Sequence, residues 1–329
     1  MMKAVYLCQD AETIARVYAP KQHERLAEQV ELACEVVTDL DDPRLPDAEA
    51  IFSTWGMLSL TEAEIRACLP RLKYVFYAAG SVQYFARPFL DAGVRVFSAW
   101  QANAVPVVQY TFAQILLALK GYFAVQARTR TDRTGATALF QHYPGAYDAR
   151  VGLLGCGAIG GGVAGLLRGL DVETWVYDPF LSGARAAALG VKKASLDEIF
   201  AACDVISNHL ANLPETVGII RREHLISMKP YATFINTGRG PQLDEKDLWD
   251  ALNEIPTRTA LLDVLTDEAN SDANPLNALP NCFITPHIAG SSGFEVRRMA
   301  DYMAEALDCV LSERPCGFEV TPDMLRTMA

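Results

Sequence analysis

The chain lacks the cysteine spacing that builds zinc ribbons, and it has no surplus of the basic residues that build nucleic-acid-binding faces. Its eight cysteines form no C-x-x-C pair. They stand apart as Cys8, Cys34, Cys68, Cys156, Cys203, Cys282, Cys309 and Cys316, several inside apolar runs. Scattered thiols of this kind read as reduced, buried side chains in a cytoplasmic protein, and their spacing argues against zinc; no metal is expected. Basic charge is in deficit, with 29 Lys and Arg against 40 Asp and Glu, a formal net charge of −11. So acidic a balance argues against nucleic acid as a partner, since phosphate backbones need a basic surface. Signals for targeting or membrane insertion are weak too. The N-terminus offers only Ala4 to Cys8 before Gln9 and Asp10, too short for a signal-peptide core. The low-charge run Val151 to Leu167 carries seven glycines, a load that argues against a membrane span. Histidine is scarce, five in all, so each can be weighed singly. His23, His142 and His224 read as surface or packing residues.

What is present is a strand–helix alternation. A length of 329 residues suits two domains. Strand-like runs are "KAVYL", "AIFSTW", "LKYVFYAA", "RVFSAW", "VGLLGC", "ETWVYD", "DVISNHL", "TFINTG", "ALLDVL" and "CFITPH". Most are continuously apolar, the pattern of parallel strands covered on both faces. Helical segments such as "SLDEIFAA" and "DEKDLWDAL" lie between them, with Ser195 and Asp244 as N-caps. The reading is an α/β fold of two doubly wound parallel-sheet blocks, one ending near Trp100 and one beginning near Val151. Between the blocks, Ala104 to Arg130 reads as one long buried or interface helix, and Thr131 to Arg150 as a loop with little regular structure.

The run "VGLLGC" leads into Gly155-x-Gly157-x-x-Gly160, and a second strand ends at Asp178, 18 residues beyond Gly160. Alone, three glycines so spaced are a weak signal. After a strand and before a helix they form a dinucleotide fingerprint. Gly155 would permit the tight turn, Gly157 the close approach of a pyrophosphate, and Gly160 the close packing of helix on strand. Ala158 and Ile159 would then open a helix whose free N–H groups face the phosphates. Asp178 would accept from ribose hydroxyls and repel a 2′-phosphate, which favours NAD over NADP. Arg185 lies seven residues further on, too far along the chain to read as a 2′-phosphate ligand.

Three further strand ends carry polar residues: Arg239 after "TFINTG", Asp263 and Glu268 in "LLDVLTDEAN", and His287 after "CFITP". Together with "PRLKYVFYAAGSV", "GLLGCGAIG", "VYDP", "SNHLANLPETVGII", "MKPYATFINTGRG" and "ITPHIAGSS", these stretches resemble the D-isomer-specific 2-hydroxyacid dehydrogenases, the family that includes phosphoglycerate-dehydrogenase-like proteins. The resemblance spans nearly the whole chain. It implies a flavodoxin-like substrate domain from residues 1–102 and 291–329, a Rossmann-type NAD domain from residues 103–290, and a cleft between them. It also implies that Arg239 binds the substrate carboxylate and carbonyl, that His287 is the acid/base with Glu268 as its partner, and that Asp263, His209 and Thr237 lie on the cofactor side. Ala79, Gly80 and Ser81 would hold the substrate carboxylate. A carboxylate near His287 would favour its charged imidazole, and a planar guanidinium suits a 2-oxo acid.

The sequence departs from the family pattern in "TDEAN", where a proline usually follows the glutamate and where Asp267 competes with Glu268 for the role of partner. It departs again at Gln109, where many members carry glutamate, and in "AAGSV", which lacks the usual aspartate. Trp55, Tyr84 and Trp100 are candidates for the substrate wall. The expected protein is therefore a cytoplasmic, homodimeric NAD-dependent dehydrogenase of a small 2-hydroxy or 2-oxo acid. The rivals are a non-catalytic NAD-sensing regulator and an NADP-preferring hydroxypyruvate or glyoxylate reductase.

Overall fold

The computed structural model describes residues 1–326; the last three residues of the expected 291–329 segment lie outside the described residues. The chain divides into two compact units, residues 1–104 with 291–329, and residues 105–290.

In chain order the first unit contains β1 (Lys3–Leu7), α1 (Ala11–Val17), α2 (Pro20–Ala27), β2 (Glu31–Val37), β3 (Ala50–Ser53), α3 (Glu62–Cys68), β4 (Tyr74–Tyr77), α4 (Ala86–Asp91) and β5 (Arg95–Ser98). Helix α5 (Trp100–Leu119) contains the boundary between the units. The second unit continues with α6 (Tyr122–Thr129), α7 (Arg133–Phe140), β6 (Tyr147–Leu154), α8 (Ala158–Leu167), β7 (Asp171–Tyr177), α9 (Gly183–Leu189), β8 (Lys192–Lys193), α10 (Leu196–Ala202), β9 (Val205–Asn208), α11 (Arg222–Ser227), β10 (Thr233–Asn236), α12 (Glu245–Glu254), β11 (Thr259–Leu262) and β12 (Cys282–Ile284). Helix α13 (Val296–Leu311) and β13 (Glu319–Val320) complete the first unit.

Both sheets are doubly wound. In the first the order is β13-β5-β4-β3-β1-β2, parallel except for antiparallel β13 at the edge. Its five parallel strands run 2-1-3-4-5, the flavodoxin-like order. In the second the order is β12-β11-β10-β9-β6-β7-β8, all parallel. That is the Rossmann order with a seventh strand added, and its direction reverses between β6 and β9. The interior strands β3, β9, β10 and β11 are buried at every position. This burial explains why they read as continuous apolar runs rather than alternating ones.

The caps fall where the sequence puts them. Ser195 and Glu198 form a reciprocal capping box on α10, and the Asp244 carboxylate accepts from the Lys246 N–H to start α12. Three expectations need correction. The single helix expected over 104–130 is two helices, broken at Gly121, which takes a left-handed φ of +62° and whose Cβ would lie 2.2 Å from a ring carbon of Tyr143. The stretch expected as a loop holds α7. Asp132 caps it by accepting from Gly135 N and is itself held by Arg128, so the Thr and Gly taken as turn residues lie in a capped first turn. The thiols are all free, but only Cys8, Cys156, Cys203 and Cys282 are buried, whereas Cys34 is exposed.

Candidate active site

The reversal point of the second sheet places the loop after β6 beside the loop after β9. Each glycine of the fingerprint has a distinct steric reason. Gly155 has φ +90°, and a Cβ there would lie 2.7 Å from the His209 carbonyl oxygen. A Cβ on Gly160 would fall 2.0 Å from the Gly155 carbonyl oxygen, so the first turn of α8 can sit on the loop only without a side chain. Gly157 meets nothing within 4 Å and leaves the loop open. It precedes Ala158 and Ile159, whose N–H groups are unpaired as in the first turn of any helix. An open glycine loop under a helix N-terminus fits a pyrophosphate.

The carboxylate of Asp178 accepts from Cys156 N and Phe180 N, both at 2.7 Å. It therefore ties the end of β7 to the glycine loop. Arg185, distant in sequence, folds back: a Cβ on Gly161 would meet its Nη2 at 3.4 Å. It brings a cation to the first turn of α8, a placement set by the packing of α9 on α8 that no local motif announces.

His209 backs the same loop. Its Nε2 lies 3.0 Å from Ser207 Oγ and its Nδ1 3.3 Å from Thr237 Oγ1, which lies 3.3 Å from Thr111 Oγ1. Part of the residue reaches the surface, but its ring nitrogens both face hydroxyls, and burial lowers its pKa from 6.5 to about 3. The ring is therefore neutral, one nitrogen donating and the other accepting. The consequence for stability has a definite sign. Below pH 6.5 an unfolded chain takes up a proton that the folded ring declines until about pH 3. This residue thus removes stability as pH falls through that window, at up to about 1.4 kcal/mol per pH unit. His209→Asn is expected to flatten the acid side of a stability–pH curve; superimposable slopes for variant and wild type would refute the assignment.

Arg239, Glu268 and His287 follow the carboxyl ends of three adjacent strands, β10, β11 and β12. His287 Nδ1 lies 3.2 and 3.0 Å from the two oxygens of Glu268. Asp267 instead accepts from the backbone and side-chain nitrogens of Asn270, which hold its pKa down. Glu268, not Asp267, thus faces the histidine. His287 has a left-handed φ of +54°, a conformation that costs a non-glycine residue energy and needs outside support. Asp263 supplies it. Its backbone oxygen accepts from His287 N at 3.0 Å, and its buried carboxylate accepts from Thr285 Oγ1, Ile288 N and Ala289 N at 2.6, 2.9 and 2.8 Å.

Arg239 is largely enclosed. Burial lowers its pKa, and the nearby Glu268 charge opposes that shift. Its Nη1 donates to the Gly238 carbonyl at 2.8 Å. A Cβ on Gly240 would lie 2.1 Å from the Leu265 carbonyl carbon, so the arginine loop rests directly on the backbone that leads to Glu268. Glu245 holds that backbone from α12, accepting from Thr266 N and Asn274 Nδ2, both at 2.6 Å.

In the first unit, Ala79, Gly80 and Ser81 follow β4. Ser98 Oγ donates to the carbonyls of Ala79 and Gly80, at 3.0 and 2.9 Å. A trans peptide directs its N–H opposite to its C=O. The N–H groups of Gly80 and Ser81 therefore turn away from Ser98, and among the described residues they have no acceptor. Free backbone N–H groups can serve as donors to an anion. Trp55 and Tyr84 are partly exposed at 36% and 49%.

Two doubly wound sheets, one with a glycine loop at its reversal point and an Arg–Glu–His set at neighbouring strand ends, define a dinucleotide-binding α/β protein. Residues 112–289 match the family model described as D-isomer specific 2-hydroxyacid dehydrogenase, NAD binding domain, and the chain belongs to that family. It is 32% identical to D-3-phosphoglycerate dehydrogenase of Mycobacterium tuberculosis over 302 residues, which are 91% of this chain and 56% of that protein. It is 33% identical to hydroxypyruvate reductase of Blautia hydrogenotrophica over 165 residues, 50% of this chain and 51% of that one. The chain thus spans little more than half the length of these curated relatives. Among solved structures it shares its fold with an NAD-complexed D-isomer specific 2-hydroxyacid dehydrogenase from Lactobacillus delbrueckii ssp. bulgaricus, at a TM-score of 0.77 and 18% identity, over 97% of this chain and 100% of that one.

Proposed function

We propose that the protein is an NAD-dependent D-2-hydroxyacid dehydrogenase acting on a small 2-oxo or 2-hydroxy acid. The observation that supports this best is His287 Nδ1 set against both oxygens of Glu268 at strand ends adjacent to the Arg239 loop. A carboxylate can only accept, so Nδ1 carries a hydrogen and the exchangeable proton belongs to Nε2. Bound nicotinamide supplies the hydride in reduction and receives it in oxidation. As the substrate carbonyl oxygen gains negative charge, His287 Nε2–H donates its proton there; in oxidation neutral Nε2 takes the proton back. Glu268 holds the Nδ1–H and so fixes the tautomer and orientation of the ring. Arg239, with one nitrogen held at Gly238 O, has further N–H groups for the substrate carboxylate and carbonyl. For Gly80 and Ser81 of the first unit, the free N–H groups suit a carboxylate, the role the family resemblance implies for them.

Glycine-loop residues Gly155, Gly157, Ala158, Ile159 and Gly160 hold the cofactor pyrophosphate in this reading, and Asp178 holds the adenosine ribose. His209, Thr237 and Asp263 serve the cofactor side through the contacts described above. The carboxylate of Asp178 predicts that NADH binds at least tenfold tighter than NADPH. Equal affinities in a fluorescence titration would instead assign Arg185 to the 2′-phosphate. Arg239→Lys is expected to reduce kcat/KM mainly through KM, because a point charge cannot reproduce a planar fork; an unchanged value would remove Arg239 from substrate binding. A panel of 2-oxo acids with NADH tests the reaction class, and binding without turnover across that panel would favour a regulator. Exposed Leu117, Tyr122 and Phe140 on successive helices α5 to α7 support a homodimer, and eight free thiols suit the cytoplasm.

A further inference from the structure

Three amide side chains, Asn208, Asn236 and Gln242, lie together at the ends of β9 and β10, each no more than 1% exposed. Burying amides is costly unless every bond is made, and apolar side chains of similar size would fill the same space at lower cost. These three are joined through Asn208, which bonds to both of the others. Asn208 Nδ2 donates to Asn236 Oδ1 at 3.0 Å and to Gln242 Oε1 at 2.6 Å. Gln242 Nε2 donates to the Leu210 and Ala211 carbonyls, both at 3.0 Å. Asn208 Oδ1 accepts from Leu210 N at 3.3 Å. The two carbonyls facing Nε2 fix the amide orientation of Gln242, so its oxygen must face the other way.

That oxygen accepts from Arg239 N at 3.1 Å, while Asn236 Nδ2 donates to the Arg239 carbonyl at 3.2 Å. Asn236 Oδ1 also accepts from Gly238 N at 3.0 Å. Both backbone polar groups of Arg239 are therefore gripped from one buried cluster. Gly238 is the contact point: a Cβ there would lie 2.8 Å from Gln242 Oε1 and 2.9 Å from Asn208 Nδ2. The Gly238 carbonyl in turn receives the Arg239 guanidinium. A continuous path of hydrogen bonds runs from the strand ends to the charged group.

We propose that the Asn208–Asn236–Gln242 triangle is the positioning device of Arg239, and that Gln242 and Asn208 are positioning residues of the reaction. The proposal rests on the reading of Arg239 as the substrate-binding residue. The test pairs Asn208→Leu with Gln242→Met in one variant, which removes the bond between them at conserved volume and leaves the N–H groups of Leu210 and Arg239 and the Leu210 and Ala211 carbonyls without these partners. The full chain is assayed with NADH and whichever 2-oxo acid the wild type reduces best. The expected result is a KM for the oxo acid raised tenfold or more, kcat lowered less, and a dissociation constant for NADH within twofold of wild type. A folded, NADH-binding double variant with kcat/KM within twofold of wild type overturns the proposal.

Gln242→Glu decides the matter if the double variant does not fold. Its second oxygen faces the Leu210 and Ala211 carbonyls and needs a proton there. The ratio of variant to wild-type kcat/KM is then expected to fall as pH rises through the ionisation of that carboxyl. The other ionisable groups around this segment, His209 on the β9 side, Arg239 and Glu268 on the β10 and β11 side, and Asp244 and Glu245 at the start of α12, are present in both proteins. A pH-independent ratio overturns the proposal. Arg239→Gln is run alongside: if it leaves kcat/KM unchanged, the reading of Arg239 itself fails, and the proposal with it.

Discussion

Replacing His287 with alanine is expected to lower kcat for 2-oxo-acid reduction by about 100- to 10,000-fold, the usual worth of a positioned general acid, with NADH affinity within twofold of wild type. The split between the two readouts follows from the structure. The imidazole bonds to Glu268 through Nδ1, and its ring takes no part in the glycine loop. The surrounding backbone does not depend on the ring either. Asp263 grips the N–H groups of His287, Ile288 and Ala289 and the hydroxyl of Thr285, and all of these survive truncation. Alanine also tolerates φ +54° no better than histidine, so the substitution brings no relaxation that would move the loop. Loss of turnover together with loss of NADH binding would point to a collapsed site and remove the proton-carrier role. Near-normal turnover would remove it as well.

Gly160→Ala is expected to weaken NADH binding by about 100-fold, the order of loss associated with displacing a binding group by an ångström. The added carbon would lie 2.0 Å from the Gly155 carbonyl oxygen and 3.0 Å from its carbon. These are backbone atoms and cannot rotate away. Either α8 moves outward or the loop lifts, and both separate the free N–H groups of Ala158 and Ile159 from the phosphates. Gly157→Ala is the control, since nothing lies within 4 Å of its Cβ position. A Cβ there changes the surface the cofactor meets but leaves the loop in place, so the free protein should unfold at the wild-type temperature, whereas Gly160→Ala should unfold earlier. Equal unfolding temperatures and equal NADH affinities for Gly160→Ala and wild type, measured by calorimetry and fluorescence titration, would contradict this account of the loop.

The sheet strands were legible because buried parallel strands leave a continuous apolar signature, and β3, β9, β10 and β11 are buried at every residue. Strand β2 leaves no such signature because it is an edge strand with mostly exposed side chains. Helix α7 is masked because Asp132, Thr134 and Gly135 look like turn residues until the Asp132 carboxylate is seen to cap them. At the site, local motifs marked the glycine loop, Arg239 and His287. The choice between Glu268 and Asp267 was not legible, because adjacent residues on a loop point in directions that only the fold decides. Arg185, Glu245 and the amide triangle were invisible for a related reason: each acts on a segment brought near by the winding of the sheet, at separations such as the 34 residues between Asn208 and Gln242.

The central claim is hydride transfer to the C2 carbon of a 2-oxo acid with a proton from His287. NADH deuterated at the transferring position, incubated with the wild type and a reducible 2-oxo acid, should yield a D-2-hydroxy acid carrying one deuterium at C2 for each NADH consumed, and the His287→Ala protein should yield almost none. NADH bound by the wild type without a deuterated product from any acid tested would contradict the account.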